Sequence, residues 1–304
     1  MRICSLLPSA TEIVFALGLG DQLVAVTHEC DYPAQTAGLP IITRNALEHE
    51  GAASRDIHNH IAQAIHQGSS IYHLDAELLR KLDPDIILTQ ELCHVCAVAY
   101  TEVQKTVRAI LGERKVVSLE PTNLDAILDT IIQAGDLLGA SGKAAEVVAS
   151  LRKRVDAVAR RSAALPRPRV FAMEWLDPAM AGGHWVPQMV SMAGGADVLG
   201  QEKFPSFVAR WEEIAERRPE VVVLMPCGFD QARTVEEYRR TPLPDAWRTL
   251  PAVQSGRVYA VNGSAYFNRP GPRIVDGLEM LAEMIHPEAF SRRHGPEAWQ
   301  QIRP

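Results

Sequence analysis

With 304 residues, 47% of them hydrophobic and 22% charged, the chain can build two α/β lobes of roughly 100 to 150 residues each, and this balance excludes a disordered, collagen-like or coiled-coil protein. A formal net charge of -6, with no long basic stripe outside the helix at residues 152–161, leaves no field for a phosphate backbone, so nucleic acid is excluded as a partner. No run reaches the roughly 18 to 20 apolar residues of a membrane span, and five cysteines, an odd number, argue against a disulfide framework.

The first eight residues enter a strand-like run with no charged n-region and no apolar h-region, so the expectation is a cytoplasmic protein, periplasmic only if the true start lies upstream. Strand-like runs at residues 2–6, 23–26 and 85–89 alternate with helix-like stretches at 11–17 and 74–82. That alternation predicts parallel strands with helical crossovers. From 123 to 165 there is no strand candidate, only helical periodicity interrupted by Gly135, Gly139 and Gly142, which reads as two helices. The second, at about 143–165, repeats Val147, Leu151, Val155 and Val158 on one face and carries Arg152, Lys153, Arg154, Arg160 and Arg161 around the rest. It would span roughly 30 Å before Pro166 and Pro168 stop it. Strand signals resume at 170–173, 221–225 and 258–261. The expected organisation is an N-terminal α/β lobe at 1–120, a helical linker at 121–166 and a C-terminal α/β lobe at 167–304. Two Rossmann-like lobes joined by a single long backbone helix, with the ligand cleft between lobes, give the strandless middle a role.

Ligands of open α/β sheets bind outside the carboxyl ends of the strands, so the loops that follow strands should carry the chemistry. These loops hold His28 and Tyr32; Glu91, Cys93, His94 and Cys96; Glu174 and Trp175; and Tyr266, Phe267 and Arg269. The Cys93-x-x-Cys96 turn can set two thiolates about a tetrahedral metal ion, completed by His94 or by His28 with Cys30, or it can be a redox dithiol, or two small thiols lining a wall. His28 and His94 can also offer an axial nitrogen to cobalt or haem iron. The corrinoid-enzyme signature is half present in Asp56-Ile57-His58, without its glycine, and His58, His60 and His66 read as surface-helix residues. Trp175, Trp185, Phe229, Tyr266 and Phe267 stand beside loops rather than in periodic apolar runs, which favours walls for a large flat ligand over ordinary packing. Glu91, Glu174 and Arg269 would orient it, with surface salt bridges as the plain alternative. Gly18-Leu19-Gly20 follows a helix and lacks a third glycine, Gly142-Lys143 lacks the first P-loop glycine, and neither a zincin pattern nor a nucleophile elbow exists.

The opening Leu6-Leu7-Pro8-Ser9-Ala10-Thr11-Glu12, with Leu82-Asp83-Pro84-Asp85-Ile86-Ile87-Leu88, resembles the helical-backbone class (class III) of ABC-importer substrate-binding proteins, which carry cobalamin, iron-siderophores and haem. His28 to Pro33, the Cys93-x-x-Cys96 loop, Gly183-His184-Trp185-Val186-Pro187 and Arg269-Pro270-Gly271-Pro272-Arg273 resemble its cobalamin-binding branch. The resemblance covers residues 2–286. It implies a corrinoid (cobalamin) or other tetrapyrrole as ligand, His184 among the binding residues, an ABC permease as partner, no membrane insertion, a monomer, and binding without catalysis. Two departures stand out: the class is normally exported, and His94 occupies a place where a second acid is expected. The rivals are a cytosolic tetrapyrrole metal chelatase using His28, Glu91 and His94, and a metal or redox carrier using Cys93 and Cys96.

Overall fold

The computed structural model describes residues 1–45, 51–66, 72–90 and 100–303. The chain divides into two compact α/β units. One comprises Met1–Ala52, Asn59–Pro121 and Ala126–Ala149; the other comprises Ala53–His58, Thr122–Asp125 and Ser150–Pro304.

In the first unit the buried run Ile3–Ser5 (β1) leads into Pro8–Ala16 (α1), whose proline sits in the first turn, where a missing N–H breaks no helical bond. Gly18, at φ +75°, turns the chain out of this helix toward Leu23–Ala25 (β2). Thr43–Asn45 (β3) follows, then Ser54–His66 (α2), then Tyr72–Leu74 (β4), which pairs antiparallel with β3. Asp75 caps Ala76–Leu82 (α3) by accepting the Leu78 N–H at 2.9 Å. Ile86–Thr89 (β5) is buried throughout, as a strand covered on both faces must be. Tyr100–Leu111 (α4) and Lys115–Ser118 (β6) complete a parallel sheet in the order β2-β1-β5-β6. Cys4, Leu6, Ala25, Ile42, Leu79, Ile87 and Val107 form its core.

No strand interrupts the next stretch, which consists of Leu124–Leu138 (α5) and Ser141–Ser162 (α6). The long helix contributes its residues up to Ala149 to the first unit and those from Ser150 to the second. Its buried face is Ala144, Val148, Leu151, Val155, Val158 and Ser162. Val147 is only half-buried and Val148 takes its place on this face, following the i, i+4, i+3 spacing that keeps side chains on one side. Arg154 leaves the basic face to bridge Asp276 and Glu279, reaching the Glu279 oxygens at 3.0 and 2.8 Å.

The second unit is organised around Arg169–Trp175 (β7), with Met180–Ala181 (β8) antiparallel beside its end and Val186–Met192 (α7) after it. Ala196–Asp197 (β9) pairs with the start of β7, and Phe207–Val208 (β10) pairs with β8. Trp211–Arg217 (α8) leads to Val221–Leu224 (β11), parallel to β7 and wholly buried. Gln231–Arg240 (α9), Asp245–Arg248 (α10) and Pro251–Gln254 (α11) lead to Val258–Val261 (β12), parallel to β11. Gly263–Tyr266 (α12), Ile274–Ile285 (α13) and Trp299–Ile302 (β13), antiparallel to β12, end the unit. The sheet order is β10-β8-β7-β11-β12-β13. A Cβ on Gly277 would lie 2.2 Å from the Tyr266 carbonyl, so only glycine lets α12 and α13 approach this closely. Two pieces of earlier sequence join the unit by specific bonds: Leu124 N–H donates to Gln188 Oε1 at 2.7 Å, and Ser54 N–H donates to Glu237 Oε1 at 2.7 Å.

Candidate functional site

At the carboxyl end of the first unit's sheet, Thr11 on α1 donates to Ser5 Oγ at 2.8 Å, and its hydroxyl lies 3.1 Å from Cys30 Sγ. Thr27 Oγ1 lies 3.2 Å from the same sulfur, so the Cys30 thiol sits between two hydroxyls. Cys4 is buried in β1, and burial, with a smaller contribution from Cys30, pushes its thiol up to about 12. It stays protonated and packs as a small apolar group. His28 is half-buried, with Nδ1 2.8 Å from Thr43 Oγ1 and Nε2 3.5 Å from Glu29 Oε1. Tyr32, on the same loop, is exposed. Glu91, Cys93, His94 and Cys96 follow β5 in sequence and lie outside the described residues.

At the carboxyl ends of β7, β11 and β12 the second unit gathers the larger group. Glu174 accepts the Ser206 hydroxyl at 3.0 Å and a backbone bond from Gly183. Burial pushes its carboxyl up, and these two bonds offset that only in part. Gly183 is required here, because a Cβ would fall 2.4 Å from the Phe204 carbonyl. His184 adopts φ +52°, a left-handed conformation, fixed by its N–H donating to Phe204 O at 2.6 Å and its carbonyl accepting Lys203 N–H at 2.9 Å. Burial lowers the pKa of its imidazole, so the ring is neutral at pH 7.

The aromatics divide by environment. Trp175 and Phe229 are both buried, with ring centroids 5.3 Å apart, and Trp175 Nε1–H donates to the Ser54 carbonyl at 3.1 Å. Trp185 stacks on His184 at 5.5 Å and donates its Nε1–H to the Phe267 carbonyl at 2.7 Å. The Phe267 side chain has no exposed surface and packs in the interior, whereas Tyr266 is half-buried beneath the Arg273 guanidinium at 5.5 Å. Arg269 is buried, and beside it the buried Asn268 Oδ1 has no hydrogen-bond partner among the described residues.

Glu174 and Trp175, expected in a loop, are instead the last two residues of β7, and Tyr266 ends α12, because pairing and turn formation run past the apolar runs that the sequence shows. Ser206, Thr43, Ser54 and Glu237 carry no motif, and each meets its partner only through the fold. Among the described residues, Asp276, Glu279 and His294 form the one cluster of metal-ligating type, with ligand atoms within 4.8 Å of one another. The Arg154 guanidinium already bridges the two carboxylates, so the place of a cation is taken by the protein's own charge.

Known proteins resemble this chain along nearly all of its length. The family model described as "Periplasmic binding protein" matches residues 3–265. A vitamin B12-binding protein of Vibrio cholerae is 28% identical over 295 residues, covering 93% of this chain and 88% of that one. An uncharacterised ABC transporter substrate-binding lipoprotein of Bacillus subtilis is 25% identical over 300 residues, covering 95% and 81%. Among solved structures, a periplasmic heme-binding protein of Pseudomonas aeruginosa superposes with a TM-score of 0.72 at 20% identity, over 97% of this chain and 96% of that one. The periplasmic vitamin B12 binding protein of Vibrio cholerae gives 0.68 at 23% identity, over 96% and 98%. These structures share the fold, and the sequence relatives are binding proteins rather than enzymes. The chain belongs to the periplasmic binding protein family.

Proposed function

We propose that this chain binds a corrinoid or related tetrapyrrole reversibly, without chemistry on the ligand, as the substrate-binding component of an ABC importer. The observation that carries this reading is the identity with the vitamin B12-binding protein along nearly the whole chain. A second support is the side-chain chemistry at the carboxyl end of the second unit's sheet. A large flat ligand needs aromatic walls and a few fixed polar groups: Trp175 packs on Phe229, Trp185 stacks on His184, Glu174 precedes Trp175 in β7, and Tyr266 and Arg269 follow β12 in sequence. The neutral His184 imidazole is in the protonation state that can meet a cobalt or iron centre, and burial shifts Glu174 toward its protonated form, which donates as well as accepts. The permease follows from the importer role of such binding components and is part of the same proposal.

Native mass spectrometry of the protein purified from its own host tests the reading. A retained mass matching a corrinoid or tetrapyrrole is expected, and a retained ligand of another class overturns it.

A further inference from the structure

Residues 53–58 belong with the C-terminal unit although they lie far upstream of it in sequence. Three polar anchors hold them. Ser54 N–H donates to Glu237 Oε1 on α9 at 2.7 Å, across 183 positions of sequence. The Ser54 carbonyl accepts Trp175 Nε1–H from the end of β7 at 3.1 Å. The Arg55 guanidinium forks onto Asp177, in the loop after β7, at 2.7 and 2.6 Å. Glu237 is itself fixed, because Arg240 grips its other oxygen at 2.5 Å and Arg233 stands 3.7 Å away. Arg233 in turn lies 5.1 Å over the Phe229 ring, which packs on Trp175. The start of α2 thus bonds directly to Trp175, the partner of Phe229.

Two of the three anchors, both on Ser54, are buried, whereas the Arg55 fork is exposed and the segment buries little apolar surface. Of these residues only Ser54 and Ile57 are buried, and Arg55 is largely exposed. Hydrogen bonds that exchange for bonds to water give little net hold compared with a packed apolar face, and segments with few buried apolar contacts are the ones that open below the global unfolding free energy. The strands beneath are different: β11 is buried along its whole length, and most of β7 is too.

We propose that the start of α2 is a strap that opens from the C-terminal unit without unfolding it, with Glu237 as its latch and the Trp175–Phe229 pair as the surface it covers and uncovers. The strap gates access to aromatics that the binding reading assigns to the ligand, and in that purpose it rests on that reading. The opening itself does not.

Hydrogen exchange on the full chain decides the matter, comparing wild type with Arg55→Ala, which removes the exposed fork, and Glu237→Gln, which keeps an acceptor but removes the latch charge. Wild-type amides at 53–58 should exchange at least about tenfold faster than those of β7 and β11, and Arg55→Ala should speed them about tenfold more while the strands keep their rates. If residues 53–58 exchange in step with β7 and β11 in the wild type, or if both variants speed the strands equally, the strap is overturned. Stopped-flow mixing with cyanocobalamin separates the two readings. Faster association in Arg55→Ala supports gating, whereas exchange that behaves as expected in a protein that takes up none of cyanocobalamin, cobinamide and haem overturns the ligand assignment and leaves the strap standing.

Discussion

Glu283 on α13 lies 2.9 Å from Nδ1 of His294 in the C-terminal tail, and each group shifts the other toward its charged form. Burial alone would raise the Glu283 carboxyl, but bonds from His294, Trp299 and the Arg293 backbone outweigh it and hold the pKa below the usual range. The bond to Glu283 raises His294 against the opposing effect of its own burial. Trp299 Nε1–H reaches the second Glu283 oxygen at 3.0 Å, and Arg292 lies 3.9 Å over the same indole, so one carboxylate fastens the tail and β13 to α13.

This pair sets the direction of a pH dependence. The contribution of His294 is complete below 6.5, its ordinary value, and is lost as pH rises through its raised folded value. The contribution of Glu283 is complete above 4.5 and is lost as pH falls through its lowered folded value. Both are present between these limits. His294→Gln should cost about 2 kcal/mol in urea unfolding within that window and less at alkaline pH, as the wild-type histidine loses its proton. An equal loss within the window and at alkaline pH would contradict the account.

Asp197 moves the other way. Burial raises its carboxyl to about 6, against backbone bonds from Leu199 and Gly200 at 3.0 and 2.6 Å. The folded protein therefore holds this proton more firmly than the unfolded chain, and stability falls as pH rises from 3.8 to about 6. Asp197→Asn keeps an acceptor for both amides and should remove that fall, gaining on the order of 2 kcal/mol relative to wild type between pH 4 and pH 7. Paired urea titrations at the two pH values measure it.

A proline at Val155 tests the long helix. Val155 lies on the buried face in the interior of α6, where proline removes a backbone donor and clashes with the preceding turn. Val155→Pro should cost about 3 kcal/mol in denaturant unfolding and should weaken ligand binding, because the helix contributes to both units. Unchanged affinity would remove any spacer role.

The parts of the fold legible in the sequence are those whose local pattern agrees with their final burial. β5, β11 and β12 are almost wholly apolar, Thr89 apart, because they are covered on both faces, and they read as strands from four residues each. β6 carries only two apolar residues after a charged approach, and β13 places two glutamines between Trp299 and Ile302, so both are strands only through their neighbours. The antiparallel pair of β3 and β4 falls in a polar stretch with no tight-turn signal, and nothing local announces it. The site is similar. Glu174 and Trp175 end a legible strand, but Ser206 reaches Glu174 from 32 positions away and Ser54 reaches Glu237 from 183, distances that no local spacing encodes.

Substitutions between Glu91 and Cys96, outside the described residues, separate the readings of these side chains. Glu91→Ala or His94→Ala should weaken ligand binding by roughly 1 to 3 kcal/mol with the melting temperature unchanged, as when a buried polar partner is lost. The double change of Cys93 and Cys96 to serine should be tolerated if the thiols line a wall. Metal content that disappears with them would identify a metal site instead.

Calorimetric titration of cyanocobalamin, cobinamide and haem into the purified wild-type protein tests the tetrapyrrole assignment most directly. The account expects at least one of the three to bind at one-to-one stoichiometry with micromolar or tighter affinity, about −8 kcal/mol or better. No binding by any of them at micromolar concentrations would contradict the tetrapyrrole assignment, while family membership and fold would stand.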